Sequence, residues 1–254
     1  MKAIWKGSIS FGLVNIPIKL YSAIEHSATK MRLLHKQSLE PINYKRFAQG
    51  STKEVPWSDI VKGVELTKGV YVVLTPEEIK TIRPEKTQRI EILEFTDVQQ
   101  VDPIYFDSHY YLAPEKSKDK TYHLFQEVLS QTAKMAIGSF VMREKEYICA
   151  IEAYKDGLLL TTLNYAYEIR DINQLEEIKT KPKLSKQELD LAKELINKIY
   201  NEQFDMSKFK DSFAEGLKTL VKKKSKGQKI VIEQKEVPKT VERDLVAALK
   251  ASLR

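Results

Sequence analysis

The chain is poor in the residues that define several protein classes. It holds one cysteine, Cys149, so no disulfide framework can form within one chain. A lone thiol points to a reducing compartment, the cytosol. Nine glycines and nine prolines in 254 residues exclude collagen-like and low-complexity sequences. No apolar run approaches the roughly 18–20 residues needed to cross a bilayer, so no membrane partner is expected. At the N-terminus Gly7, Ser8, Ser10 and Gly12 break any signal-type apolar stretch, and no cleavage-like site follows.

Catalytic signatures are equally scarce. There is no Gly-x-x-x-x-Gly-Lys phosphate loop and no Gly-x-Gly-x-x-Gly fingerprint. The four histidines, His26, His35, His109 and His123, form no His-Glu-x-x-His or similar pair. Cys149 lies in the apolar run Tyr147–Ala153 and reads as a buried structural thiol rather than a nucleophile. The acid pairs Glu77-Glu78 and Glu176-Glu177 read as solvated. Asp97, Asp102 and Asp107 cluster around Pro103 and read as turn chemistry, with a metal-dependent nuclease as the alternative. No catalytic residue, metal site or cofactor is therefore expected.

What the chain does have is unevenly placed positive charge. Lys and Arg number 42 against 35 Asp and Glu, a formal net charge of +7. Residues 28–53 carry Lys30, Arg32, Lys36, Lys45, Arg46 and Lys53 against Glu40 alone, a net +5. Residues 218–229 carry six lysines and no acid, a net +6, which leaves the rest of the chain at −4. A mildly acidic body with two basic patches is an electrostatic footprint for a polyanion. A lysine tract such as Lys222–Lys229 also occurs as a solvated linker. In Thr29–Lys36, Met31 and Leu33 fall on one side of a strand, and Lys30, Arg32 and Lys36 on the other. Such a strand can lie on a core and offer charge to phosphates, or simply be half-buried with a solvated face.

The first two-thirds reads as strand-rich. Ile9, Phe11 and Leu13 alternate, then Ile16, Ile18 and Leu20 continue in the opposite phase. That slip near Val14-Asn15 predicts a bulge or bend of the kind that curves a sheet towards closure. Val70–Leu74, Ile90–Phe95, Ile104–Leu112, Ile137–Met142, Tyr147–Ala153 and Leu158–Leu163 read as further strands. Asp156-Gly157 is a hairpin signal. Thr75-Pro76-Glu77-Glu78 opens a short helix that ends before Pro84. Lys118–Lys134 has helical spacing.

The composition shifts after about residue 172. Ser185–Glu188 is a capping box for a helix bearing Leu191, Leu195, Ile196 and Ile199. A second helix is predicted over Met206–Val221. The fold class is mixed α+β. The expected division is a core over 1–172, a helical part over 173–221, a Lys-rich linker over 222–240 and a terminal amphipathic helix over 241–254. In that last helix Val241, Leu245, Ala248, Leu249 and Leu253 share one face, which either packs on its own core or docks on a partner.

Several blocks then match one family. Trp5-Lys6-Gly7-Ser8-Ile9-Ser10-Phe11-Gly12-Leu13-Val14-Asn15-Ile16-Pro17 resembles the opening of prokaryotic Ku proteins. So do Asp59–Gly63, Tyr71–Thr75, Ile92–Phe95, Asp102–Phe106 and Tyr110–Glu115. Asp244–Leu253 resembles a segment near that family's C-terminal end. The resemblance covers residues 1 to about 172 densely, and the last dozen again.

It implies a β-barrel core with a protruding arm, about residues 25–60, that dimerises into a ring around DNA. It implies binding of double-stranded DNA ends in non-homologous end joining and recruitment of the multidomain ATP-dependent DNA ligase of that pathway. Two departures stand out. Arg46-Phe47-Ala48-Gln49-Gly50 occupies the place of a Cys-x-x-Cys found in some relatives, so no zinc is expected. The long Lys-rich tail of many relatives has at most a partial counterpart in Lys222–Lys229.

Sequence-independent binding needs phosphate contacts rather than base readout. Lys30, Arg32, Lys36, Lys45 and Arg46 suit that role, with Lys134 and Arg143 as weaker candidates. Leu245, Leu249 and Leu253 are the candidates for partner docking. A compact chain of 254 residues has a radius of gyration of roughly 18 Å, too small to enclose a duplex alone, so a homodimer is expected. A general nucleic-acid-binding barrel without end specificity is the alternative. Either protein would work at the nucleoid in the cytoplasm.

Overall fold

The computed structural model describes residues 1–25, 31–84, 87–227 and 245–253. Its contacts divide the chain into two compact units, one made of residues 1–26 and 32–170, the other mainly of residues 171–254.

The first unit is built on a hairpin. β1 (Trp5–Phe11) and β2 (Val14–Ser22) pair antiparallel, with Ile9 opposite Ile16 and Phe11 opposite Val14. The predicted bulge is in fact this hairpin's two-residue turn. Gly12 takes a φ of 57°, where a side chain would be strained, and Leu13 projects fully into solvent. The change of phase is the chain reversing direction, so both halves of the apolar pattern face the same interior.

From β2 the chain makes a long excursion before returning to the barrel. The excursion contains β3 (Lys62–Thr67), β4 (Val70–Leu74) and α1 (Pro76–Thr81). α1 has the predicted capping box, Thr75 and Glu78 each bonding the other's backbone N–H.

The barrel then resumes with β5 (Arg89–Asp97), β6 (Phe106–Pro114), α2 (Lys120–Thr132), β7 (Lys134–Met142), β8 (Lys145–Tyr154) and β9 (Gly157–Leu163). Seven strands close in the order β1-β2-β6-β9-β8-β7-β5, and the parallel pairing of β1 with β5 seals the seam. Closure leaves these strands no unpaired edge. The β8–β9 turn falls where Asp156-Gly157 predicts it. The positive φ of 52° belongs to Lys155, however, and Gly157 opens β9.

Alternation sorts the side chains. Ile9, Ile16, Ile18, Leu20, Ile90, Phe140, Ile151 and Leu160 are buried inside the barrel. α2 adds Tyr122, Phe125 and Leu129 to the same core. The Tyr122 hydroxyl donates to the Leu112 carbonyl at 2.7 Å and accepts from the Leu158 N–H at 3.1 Å, tying the helix to β6 and β9. Burial raises this phenol above its ordinary range, and the Leu158 N–H partly offsets that. Gly138 is required by close approach, since a Cβ there would meet the Glu91 carbonyl at 2.5 Å.

The second unit contains α3 (Lys186–Ile199), α4 (Ser212–Ser225) and α5 (Leu245–Leu253). α3 starts at the predicted capping box of Ser185 and Glu188. The second predicted helix is broken instead of continuous. Asp205 caps a single turn at Met206–Lys208, and Asp211 then caps α4 by accepting from the Ala214 N–H at 2.9 Å. Two Asp caps six residues apart outcompete one uninterrupted helix. α4 runs on to Ser225, so Lys222–Lys224 form its last turn. Those cations sit where the helix dipole favours positive charge.

Candidate nucleic-acid interface

The excursion between β2 and β5 carries most of the predicted cations. Among the described residues from 31 to 84 none is buried. The expected strand over Thr29–Lys36 does not form. Its described part makes a single bridge, Leu34 to Pro41, inside a tight loop where the His35 N–H donates to the Glu40 carbonyl at 2.8 Å. Met31 and Leu33 lie on no core, being 72% and 68% exposed. Here the backbone turns back at once: the His35 carbonyl accepts from the Leu39 N–H, and the Leu33 carbonyl accepts from the Ile42 N–H. Lys30 lies outside the described residues.

Arg32 and Lys36 are exposed and make no ion pair among the described residues. Both charges are therefore open to an incoming anion. Lys45 and Arg46 are held on a second small loop, closed by the Phe47–Glu54 bridge. The Lys45 ammonium sits 2.9 Å from the Glu54 carboxylate. That hydrogen-bonded pairing raises Lys45 above its usual range and lowers Glu54 below its own. The Arg46 guanidinium stacks 4.5 Å from the centre of the Trp57 ring, and its Nε donates to the Val55 carbonyl at 3.4 Å. Stacking on an aromatic face leaves the guanidinium charged and fixes its plane.

The two later candidates lie elsewhere. Lys134 opens β7 opposite Asp97, and Arg143 follows the end of the same strand. Nine residues of extended chain put roughly 30 Å between them, so they are not one cluster. Arg143 sits at the β7–β8 turn with a φ of 52°, beside Glu144, whose carboxylate meets Arg83 at 2.7 Å. Lys134 borders an apolar groove of about 450 Å³ lined by Phe11, Val14, Phe95, Leu124, Phe125 and Val128.

Leu249 and Leu253 are half-buried on α5, and the side chain of Leu245 lies outside the described residues.

Sequence reasoning missed the apolar character of the excursion's surface. Tyr44, Phe47, Trp57, Leu66, Tyr71 and Val73 are all more than half exposed. The sequence signal is there: every position of β4 is apolar, so both faces of the two-stranded β3–β4 sheet carry apolar side chains, and all of its residues except Leu74 are exposed.

Two of the three acids of the nuclease alternative, Asp102 and Asp107, hold structural hydrogen bonds. The Asp102 side chain accepts from the Ile104 N–H at 3.0 Å, and Asp107 accepts from Thr162 at 3.1 Å and Ser108 at 3.0 Å. Cys149 is fully buried, and burial pushes its thiol far up, away from thiolate. Among the described residues no group of three or more His, Cys, Asp or Glu side chains could hold a metal ion. No described helix is long and apolar enough to cross a membrane.

Comparison with known proteins agrees with this architecture. The family profile described as the Ku70/Ku80 beta-barrel domain matches residues 10–191. The chain is 38% identical over 255 residues to the non-homologous end joining protein Ku of Opitutus terrae, covering all of this chain and 91% of that one. It is 38% identical to the protein of the same name from Archaeoglobus fulgidus, covering all of this chain and 98% of that one. For the Bacillus subtilis protein of that name the figures are 35% identity, all of this chain and 82% of that one.

Proposed function

The chain belongs to the Ku family, and from that membership we propose that it binds the ends of broken double-stranded DNA for repair by non-homologous end joining. Two copies close into a ring around the duplex, hold it through its phosphates without reading sequence, and bring the multidomain ATP-dependent ligase to it. The protein is a binder and not a catalyst, needs no cofactor, and works at the nucleoid in the cytoplasm.

The observation that carries this reading is the excursion between β2 and β5. It joins Arg32 and Lys36, which make no ion pair among the described residues, to a broad exposed apolar surface on one stretch of chain. The apolar part calls for a protein neighbour, and a second copy supplies an identical surface by two-fold symmetry. The cations suit phosphate, and phosphate contacts carry no sequence information. Arg32, Lys36 and Arg46 are the principal contacts, Lys30 accompanies them, and Lys45 is a further candidate that Glu54 holds in check. Arg143, at its hairpin tip, and Lys134 are secondary.

A closed loop has no entrance along an unbroken duplex, so selectivity for ends is topological and needs no recognition of end chemistry. The test compares the affinity of the full chain for one duplex in linear and in covalently closed circular form. Linear DNA should bind and the circle should not. Equal affinity would replace the ring with a general nucleic-acid-binding barrel.

A further inference from the structure

We propose that α5 is held by the protein itself in the free state, and that α3 competes with the ligase for the helix's apolar face. This rests on the reading of α5 as the ligase-docking segment and adds how that site is regulated.

α5 packs against α3. Val246, Ala248, Leu249 and Leu253 are half-buried, while Ala247, Lys250 and Ser252 are exposed. On α3 the half-buried positions include Leu191 and Ala192, side by side, and Leu195 one turn on, while Leu189, Ile196 and Ile199 stay exposed. The end of α5 is fastened as well. Lys198 Nζ donates to the Leu253 carbonyl at 2.6 Å. That bond satisfies a carbonyl the helix leaves open and places positive charge at its negative pole.

The sequence of α5 allows only one such partner at a time. At 100° per residue, Leu245, Val246, Leu249 and Leu253 fall within about 100° of arc. The remaining positions are alanine, serine and a single lysine. Every bulky apolar residue of the helix belongs to one stripe, and its described members Val246, Leu249 and Leu253 are half-buried where the helix packs against α3. A nine-residue helix is also too short to persist alone in water, so it needs an apolar surface to stay helical. The ligase must therefore take the stripe from α3 rather than find it waiting. If the released form is about one-tenth of the free protein, apparent affinity for the ligase falls about tenfold below its intrinsic value.

The experiment uses the full chain and Leu195→Glu, with Leu191→Ala as a milder second variant that keeps α3 helical. Amide hydrogen exchange over residues 246–253 is read without ligase, and ligase affinity is read separately by titration. Slow exchange in the parent, accelerated about tenfold in both variants, together with ligase affinity raised by about the same factor, supports the proposal. Exchange in 246–253 that is fast in the parent, or unchanged by both variants, overturns it. Faster exchange with unchanged ligase affinity also overturns it, because docking on α3 then does not compete. Failure of the underlying reading looks different: a chain truncated after residue 244 would bind the ligase as tightly as the full one, whatever the exchange data show.

Discussion

Individual side chains divide the positive charge into free and spent. Lys45 is matched by Glu54, whereas Arg32 and Lys36 have no acid beside them among the described residues. Arg32→Glu with Lys36→Glu should weaken binding to every duplex sequence alike and reduce the slope of log affinity against log salt by about two. A loss confined to one sequence would instead indicate base readout. Glu54→Gln should act in the opposite sense. Freeing Lys45 adds one phosphate contact, steepening that slope by about one. An unchanged slope would place Lys45 outside the interface. Cys149 offers an independent check on the barrel. Its thiol is buried and shifted upward, so it should resist a thiol-labelling reagent at pH 8 in the native protein and react at once in denaturant. Rapid native labelling would mean the barrel opens there.

Elements show what local sequence could and could not specify. The capping boxes at Thr75 and Ser185, the strands of the barrel and the Asp156 hairpin were legible, because each is set by side chains within a few residues. The Gly12-Leu13 turn was misread because a phase change in an apolar pattern is the same for a bulge and for a tight reversal. Met31 and Leu33 were misread because alternation reports that one face is apolar, not what covers it. The same gap hid the exposed surface of β3 and β4. The cations of the interface were legible as residue types, while the pairing of Lys45 with Glu54 depends on a loop closure nine residues long. α2 is the element whose anchoring is most exposed to test. Tyr122→Phe removes both hydroxyl bonds and leaves the buried Leu112 carbonyl and Leu158 N–H without them. It should cost about 1–3 kcal/mol of unfolding free energy by denaturant titration. A change below about 0.5 kcal/mol would show that helix and barrel are held by apolar packing alone.

Threading onto DNA ends requires two copies of the whole chain and a closed path around the duplex. In solution the protein should have the mass of two chains of 29.3 kDa each. If six to ten phosphates are neutralised, affinity for linear duplex should fall by about three to five decades between roughly 50 and 200 mM salt. The most direct measurement is topological. The protein is loaded on a linear duplex, the ends are sealed into a covalent circle, and the salt is raised to about 1 M, where phosphate contacts are screened. A threaded ring should stay on the sealed circle, leave the unsealed control, and fall off the circle when a single double-strand cut is made. Equal loss from sealed and unsealed DNA would contradict it.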